Sequence, residues 1–159
     1  MNIDIVCIGK LKEKYLVDAC NEYIKRLSAY ANINIIELKE TLLSSNPSLK
    51  DEENVKIEEG KTILKNIRED SFVITLEVKG KELDSLELSK KIDDLGLNGK
   101  SNITFVIGGS LGLSSEVSNR SDYKLSFSKM TFPHQLMRVI LLEQVYRSFK
   151  IIRNETYHK

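Results

Sequence analysis

Short apolar runs alternate with longer segments of helical period along this chain. The runs cover residues 3–8, 33–38, 72–78, 103–107 and 123–127. All are rich in β-branched or aromatic side chains, and each predicts a strand. The third and fourth are nearly unbroken apolar stretches, as expected of strands covered on both faces. Between them, Leu16, Ala19, Cys20, Tyr23, Ile24 and Leu27 form one stripe of a helix over residues 12–30. Val55, Ile57, Ile63, Leu64 and Ile67 do the same over residues 51–70, where Asp51, Glu52 and Glu53 complement the positive end of a helix dipole. A third helix is expected over residues 83–95, ending near Gly96. A short fourth one follows Ser114, whose hydroxyl can cap it. The last starts at Pro133, a favoured first helical residue, and runs to about Phe149.

Repeated strand–helix alternation predicts an α/β fold, a Rossmann-like, mostly parallel sheet with helices on both faces and right-handed crossovers. No repeat or composition break divides the chain, so residues 1–159 are expected to form a single domain. The longest expected loop spans residues 43–50 around Asn46-Pro47. The final helix is apolar nearly all round, which calls for burial on more than one side. A second copy of the chain in a homodimer is the expected cover.

Charge narrows the partners. The 159 residues carry 24 basic and 23 acidic side chains, a net charge of +1, so no global positive field attracts nucleic acid. The balance is uneven, however. From Lys129 onward six basic residues face two acidic ones, and the tail adds Tyr157 and His158. Such a mixture suits phosphate contact and base stacking. Cys7 and Cys20 have neither CxxC nor zinc-site spacing and are expected to be inert buried thiols; no metal is expected. The first residues lack a basic segment followed by a long apolar one, and no stretch approaches the ~18 apolar residues of a membrane span. A cytoplasmic location is the expectation.

In open α/β sheets, ligands sit beyond the carboxyl ends of the strands. Three such places carry chemistry: residues 76–80, 108–112 and 127–134. The second, Gly108-Gly109-Ser110-Leu111-Gly112, lets backbone approach a ligand closely. It also fits G-x-S-x-G, with Asp122 and His134 following in hydrolase order, so a serine hydrolase built on Ser110 is one reading. The third place combines Ser128 and Thr131 with apolar Phe127, Met130 and Phe132, and Thr131 is a candidate cap before Pro133. Exposed N–H groups at that helix start would form a polar collar, and an adenine or a sulfonium-bearing cofactor suits the mixture. His134 in the first turn can accept a proton. Glu143 and Arg147 form an ordinary i,i+4 pair that needs no function.

Three strings, Gly108-Gly109-x-x-Gly112, Ser128-x-Met130-Thr131-x-Pro133-His134-Gln135 and the terminal Tyr157-His158-Lys159, together resemble one family. It is the SPOUT-class ribosomal RNA large-subunit methyltransferase H family, whose members methylate N3 of a pseudouridine in 23S ribosomal RNA. The resemblance runs from Ile8-Gly9-Lys10 to the last residue, and a non-catalytic ribosome-binding module stands beside it as an alternative. It implies a C-terminal trefoil knot, a homodimer, action on assembled ribosomes, and S-adenosyl-L-methionine bound in the knot. Carried over residue by residue, the cofactor contacts fall on Leu76, Gly108 and the loop Phe127, Ser128, Lys129, Met130, Thr131 and Phe132. Where the family usually shows Leu-Asp-x-x-Gly, this chain has Leu76-Glu77-Val78-Lys79-Gly80, which leaves the role of Glu77 open. Loss of the N3 proton needs assistance, for which His134, Tyr157 and His158 are the candidates. Arg153 and Arg138 are expected to hold phosphates or the developing anionic base, with Lys159 as a further substrate contact.

Overall fold

The computed structural model describes residues 1–159. Its elements are β1 (Asn2–Ile8), α1 (Lys14–Leu27), β2 (Asn32–Leu38), α2 (Leu49–Lys65), β3 (Phe72–Glu82), α3 (Ser85–Leu97), β4 (Asn102–Ile107), α4 (Ser115–Arg120), β5 (Tyr123–Ser126) and α5 (His134–Ile152). The strands form one sheet in the order β2-β1-β4-β3-β5, and every neighbouring pair is parallel. Parallel neighbours need crossovers, and the intervening helices supply them.

Alternation along each strand sorts the side chains into two cores. Ile3, Ile5 and Cys7 of β1, Ile74 of β3, and Ile103, Phe105 and Ile107 of β4 pack against Cys20 and Leu27 of α1, Leu88 and Ile92 of α3, and Leu141, Leu142, Val145 and Phe149 of α5. The odd-one-out positions, Val6, Ile8, Val73 and Val106, face Ile63 of α2 and Val117 of α4 on the other side. The sheet is thus covered on both faces, as its apolar runs require. Burial raises the Cys7 thiol to about 11 and moves Cys20 the same way, which favours the protonated thiol at both positions.

Several boundaries differ from the expected ones for local reasons. Helix α2 begins two residues early because Ser48 and Asp51 form a reciprocal capping box. Helix α3 begins after Asp84, which forms another with Glu87. It runs past Gly96, and the left-handed turn falls on Gly99 (φ +76°). Pro133 is the residue before α5 rather than its first helical one, and Thr131 is exposed and makes no cap. Of the glycine string, only Gly112 adopts positive φ (+84°). Helix α5 buries a stripe through Met137, Arg138, Leu141, Leu142, Val145, Ser148 and Phe149, and Leu136 is exposed.

Strand β3 is longer than its apolar run. Its pairing with β5 shifts after Leu76, so that Leu125 lies opposite both Leu76 and Lys81, and residues 77–80 bulge outward. Gly80 presses against the β5 backbone there, and a Cβ on it would sit 2.7 Å from the Lys124 carbonyl oxygen. Only glycine allows that approach.

Phe105 is fully buried on the central strand, between α1, α3 and α5. Phe105→Ala is expected to lower unfolding stability by about 3–5 kcal/mol, read as a shifted urea midpoint.

Candidate active site at the carboxyl ends of three strands

The pairing registers bring the three expected segments to one level. Thr75 lies opposite Val106, so Leu76 falls beside Ile107, one residue before Gly108. On the other side Leu76 lies opposite Leu125, two residues before Phe127. With strands about 4.8 Å apart, Gly108 and the start of the 127–132 loop stand roughly 10 Å from each other across β3.

Gly108 serves close packing. A Cβ on it would lie 3.0 Å from the Gly112 carbonyl group and from Leu113, so even alanine would push the turn open. Gly109 is equally crowded, with Ile8 and the Glu59 carboxylate each 3.2 Å from its Cβ position. Glu59 is itself buried, and its other oxygen accepts the Thr41 N–H at 3.0 Å. Its side chain therefore ties the β2–α2 connection to the back of the glycine turn. Burial, with the nearby Glu40 charge adding to it, raises the Glu59 carboxyl above the usual range against the Thr41 hydrogen bond.

The 127–132 loop is ordered by two serines. Ser126 donates to the Val78 and Ser128 carbonyl oxygens, and Ser128 accepts the Met130 N–H at 3.0 Å. The N–H groups of Lys129, Thr131 and Phe132, and those of His134, Gln135 and Leu136 in the first turn of α5, donate to nothing within the chain. Lys129, Met130, Thr131 and Phe132 are exposed, whereas Phe127 and Ser128 are half-buried. The segment is a run of free backbone donors beside the apolar surface of Leu76 and Phe127. A cavity of about 290 Å³ behind it is lined by Leu83, Leu88, Leu125, Phe127, Ile140 and Gln144, and reaches neither Leu76 nor Gly108.

Glu77 stands at the bulge of β3. Its carboxylate accepts hydrogen bonds from Thr75 (2.7 Å) and from Ser118 (3.0 Å), fastening α4 to the end of β3. This is a supporting position. The hydrolase arrangement fails on geometry. The Asp122 carboxylate accepts the Val73 N–H at 2.8 Å and an Arg120 bond, near the start of β3. His134 lies at the opposite end of the sheet, 3.9 Å from the Cβ position of Gly9. No Ser–His–Asp relay connects them.

The basic residues separate into two groups. Arg138 is only 1% exposed; it pairs with Glu37 at 2.6 Å and donates to the Gly9 carbonyl oxygen at 3.1 Å. Its guanidinium binds the ends of β1 and β2 together and does not face solvent. The second group gathers around the tail. Glu143 accepts from Arg147 (2.6 Å) and from the Tyr157 hydroxyl (3.1 Å), and Arg147 contacts His158 Nδ1 at 3.2 Å. The Arg147 guanidinium also lies over the Tyr157 ring. What reads in sequence as a routine i,i+4 pair is the anchor of the C-terminus. Burial and the Glu143 charge push the Tyr157 phenol up to about 12, so it acts here as a neutral donor.

Asn154, in left-handed backbone (φ 52°), reverses the chain after α5 so that this docking can occur. Arg153 is exposed beside Tyr30, and Lys159 is exposed at the end. Glu143 lies nine residues along α5 from His134, or about 13 Å at 1.5 Å per residue. Within one chain, Tyr157 and His158 therefore dock well away from the 127–134 segment.

In open parallel α/β sheets ligands are held beyond the carboxyl ends of the strands, and that is the edge where this α/β protein has its glycine turn and its donor-rich loop. Comparison with known proteins makes this specific. A family model described as a predicted SPOUT methyltransferase matches residues 1–158. The ribosomal RNA large subunit methyltransferase H of Clostridium novyi (strain NT) is 61% identical over the full length of both chains, and that of Clostridium tetani (strain Massachusetts / E88) is 58% identical over the full length of both. The chain belongs to the SPOUT methyltransferase family. It is an α/β methyltransferase, and no helix in it is long and apolar enough to cross a membrane.

Because the folded-state carboxyl of Glu59 titrates above its unfolded value, its contribution to stability is full below the unfolded value and fades as pH rises through the raised one. Glu59→Gln is expected to remove that part of the decline. The check is urea unfolding of both proteins from pH 4 to pH 8, with the variant's curve flatter in that window.

Proposed function

We propose that this chain transfers the methyl group of S-adenosyl-L-methionine to N3 of a pseudouridine in large-subunit ribosomal RNA, acting as a homodimer on the assembled ribosome. The names of its full-length relatives support the ribosomal RNA target. The observation that carries the site is the level placement of Leu76, Gly108 and the 127–132 loop on three adjacent strands.

The residues present suit the methyl donor. Leu76 and Phe127 offer apolar surface to an adenine, and the free N–H groups of Lys129, Thr131 and Phe132 can hold its ring nitrogens and ribose oxygens. A side chain at Gly108 would meet the Gly112 backbone, so glycine keeps that turn tightly closed. When bound, the donor supplies an electrophilic methyl group. The rest falls to the chain: bring N3 in line with it, exclude water, and accept or stabilise the displaced proton. His134, at the end of the loop, is assigned to proton handling or base positioning. Arg153, Tyr157, His158 and Lys159 are assigned to the substrate from the partner's tail, since the tail of one chain docks about 13 Å or more from its own His134. Arg138 is assigned to holding the site from beneath.

The test is incubation of ribosomes from a methylation-deficient strain with the protein and S-adenosylmethionine. Mass spectrometry should find one methylated pseudouridine in the large-subunit RNA and much less when stripped RNA is the substrate. No added methyl group would overturn the reading. A chain ending at Arg153 retains all of α5 and is expected to keep its calorimetric affinity for S-adenosylmethionine within about two-fold, while its turnover falls by a factor on the order of 100 or more.

A further inference from the structure

Resting on the RNA methyltransferase reading above, we propose that the β1–α1 connection is a second RNA-gripping element of the site, with Lys10 and Lys12 meeting phosphates and Tyr15 receiving an unstacked base. Tyr15 is 69% exposed at the start of α1 and has no aromatic, cationic or hydrogen-bonding partner in the chain. A large aromatic ring held out in solvent is a platform for a base, because every base has a π-face. Lys10 and Lys12 are exposed and unpaired, whereas Lys14 is engaged by Asp18.

The connection is held rigidly, and held to the site. Gly9 turns the chain in left-handed backbone (φ +85°). Arg138 then grips the Gly9 carbonyl oxygen, and the Glu37 oxygen that pairs with Arg138 also accepts the Leu11 N–H at 3.0 Å. The Lys12 N–H donates to the Gln135 side chain at 3.4 Å, next to His134 in the first turn of α5. A buried guanidinium is thus used to fix a surface segment whose own side chains point outward. Lys129 and Phe132, both exposed, precede His134 in the chain and add a cation and an aromatic ring to this basic, aromatic stretch. Such a stretch supplies the local patch that a chain of net charge +1 needs to hold a polyanion. Single-stranded or splayed RNA fits it, since stacking demands an unpaired base.

Tyr15→Ala and the double variant Lys10→Ala/Lys12→Ala test this with 50S ribosomal subunits as the probe. Co-sedimentation should show roughly ten-fold weaker binding for Tyr15→Ala. The double variant should reduce the slope of log affinity against log salt by about two. Calorimetric affinity for S-adenosylmethionine and kcat at saturating ribosomes should be unchanged, so that KM alone rises. Unchanged subunit affinity and salt slope would overturn the proposal. So would conversion of either variant to a different oligomeric state in sedimentation velocity, which would give the surface to a second copy of the chain. Binding is scored apart from turnover. A wild type that binds subunits and methylates nothing would overturn the methyltransferase reading, and these variants would still decide the surface.

Discussion

In a parallel sheet, all strands deliver their chain ends to the same edge. With the order β2-β1-β4-β3-β5, the segments after β4 and β5 and the bulge within β3 become neighbours although they lie far apart in sequence. The ladder sets their level: Thr75 beside Val106, and Leu76 beside Leu125. That registration is rigid because both faces of the sheet are covered, by α1, α3 and α5 on one side and α2 and α4 on the other. A slip of one residue would turn every side chain to the wrong core. The site inherits its geometry from this constraint, and the loops themselves add only the donors and the apolar wall.

Two networks on α5 show how charge is used at different depths. Near its start, Arg138 and Glu37 form a pair with one partner wholly buried. Such a pair is weak support for stability by itself, because desolvation offsets much of the attraction. Its value here is geometric, since it also holds Gly9 and Leu11. Toward the other end, Glu143, Arg147, Tyr157 and His158 form a partly exposed group that docks the tail. Lys150, Glu155 and Tyr30 add a second tie, which lowers the Glu155 carboxyl through the Lys150 hydrogen bond and then that of Tyr30. One helix therefore organises both the floor of the site and the chain terminus.

All five strands and all five helices were legible in the sequence because their signals are local: β-branched runs, helical stripes and a serine before α4. The three candidate segments were legible because parallel sheets place chemistry after strands. Other features were hidden. Ser48 of the Ser48–Asp51 capping box falls within the expected loop, although its spacing from Asp51 is a usable signal. The extension of β3 to Glu82 could not be read, since Glu77, Lys79 and Lys81 break its apolar pattern and only the partner β5 sustains it. Arg138 reads as a surface cation on any helical wheel, and its burial depends on Glu37 more than a hundred positions earlier. Glu143 and Arg147 satisfy each other locally, which concealed their longer-range partners in the tail.

The contact of Gly80 with Lys124 and Leu125 has a kinetic side. It seals a long loop of chain, and the entropy of closing that loop is lost before the packing is gained. Sheets assembled from such distant partners fold slowly compared with helical bundles of equal size. The four-residue last strand is seated by this contact between positions more than forty residues apart, so its place in the sheet rests on a pairing that no local signal supplies.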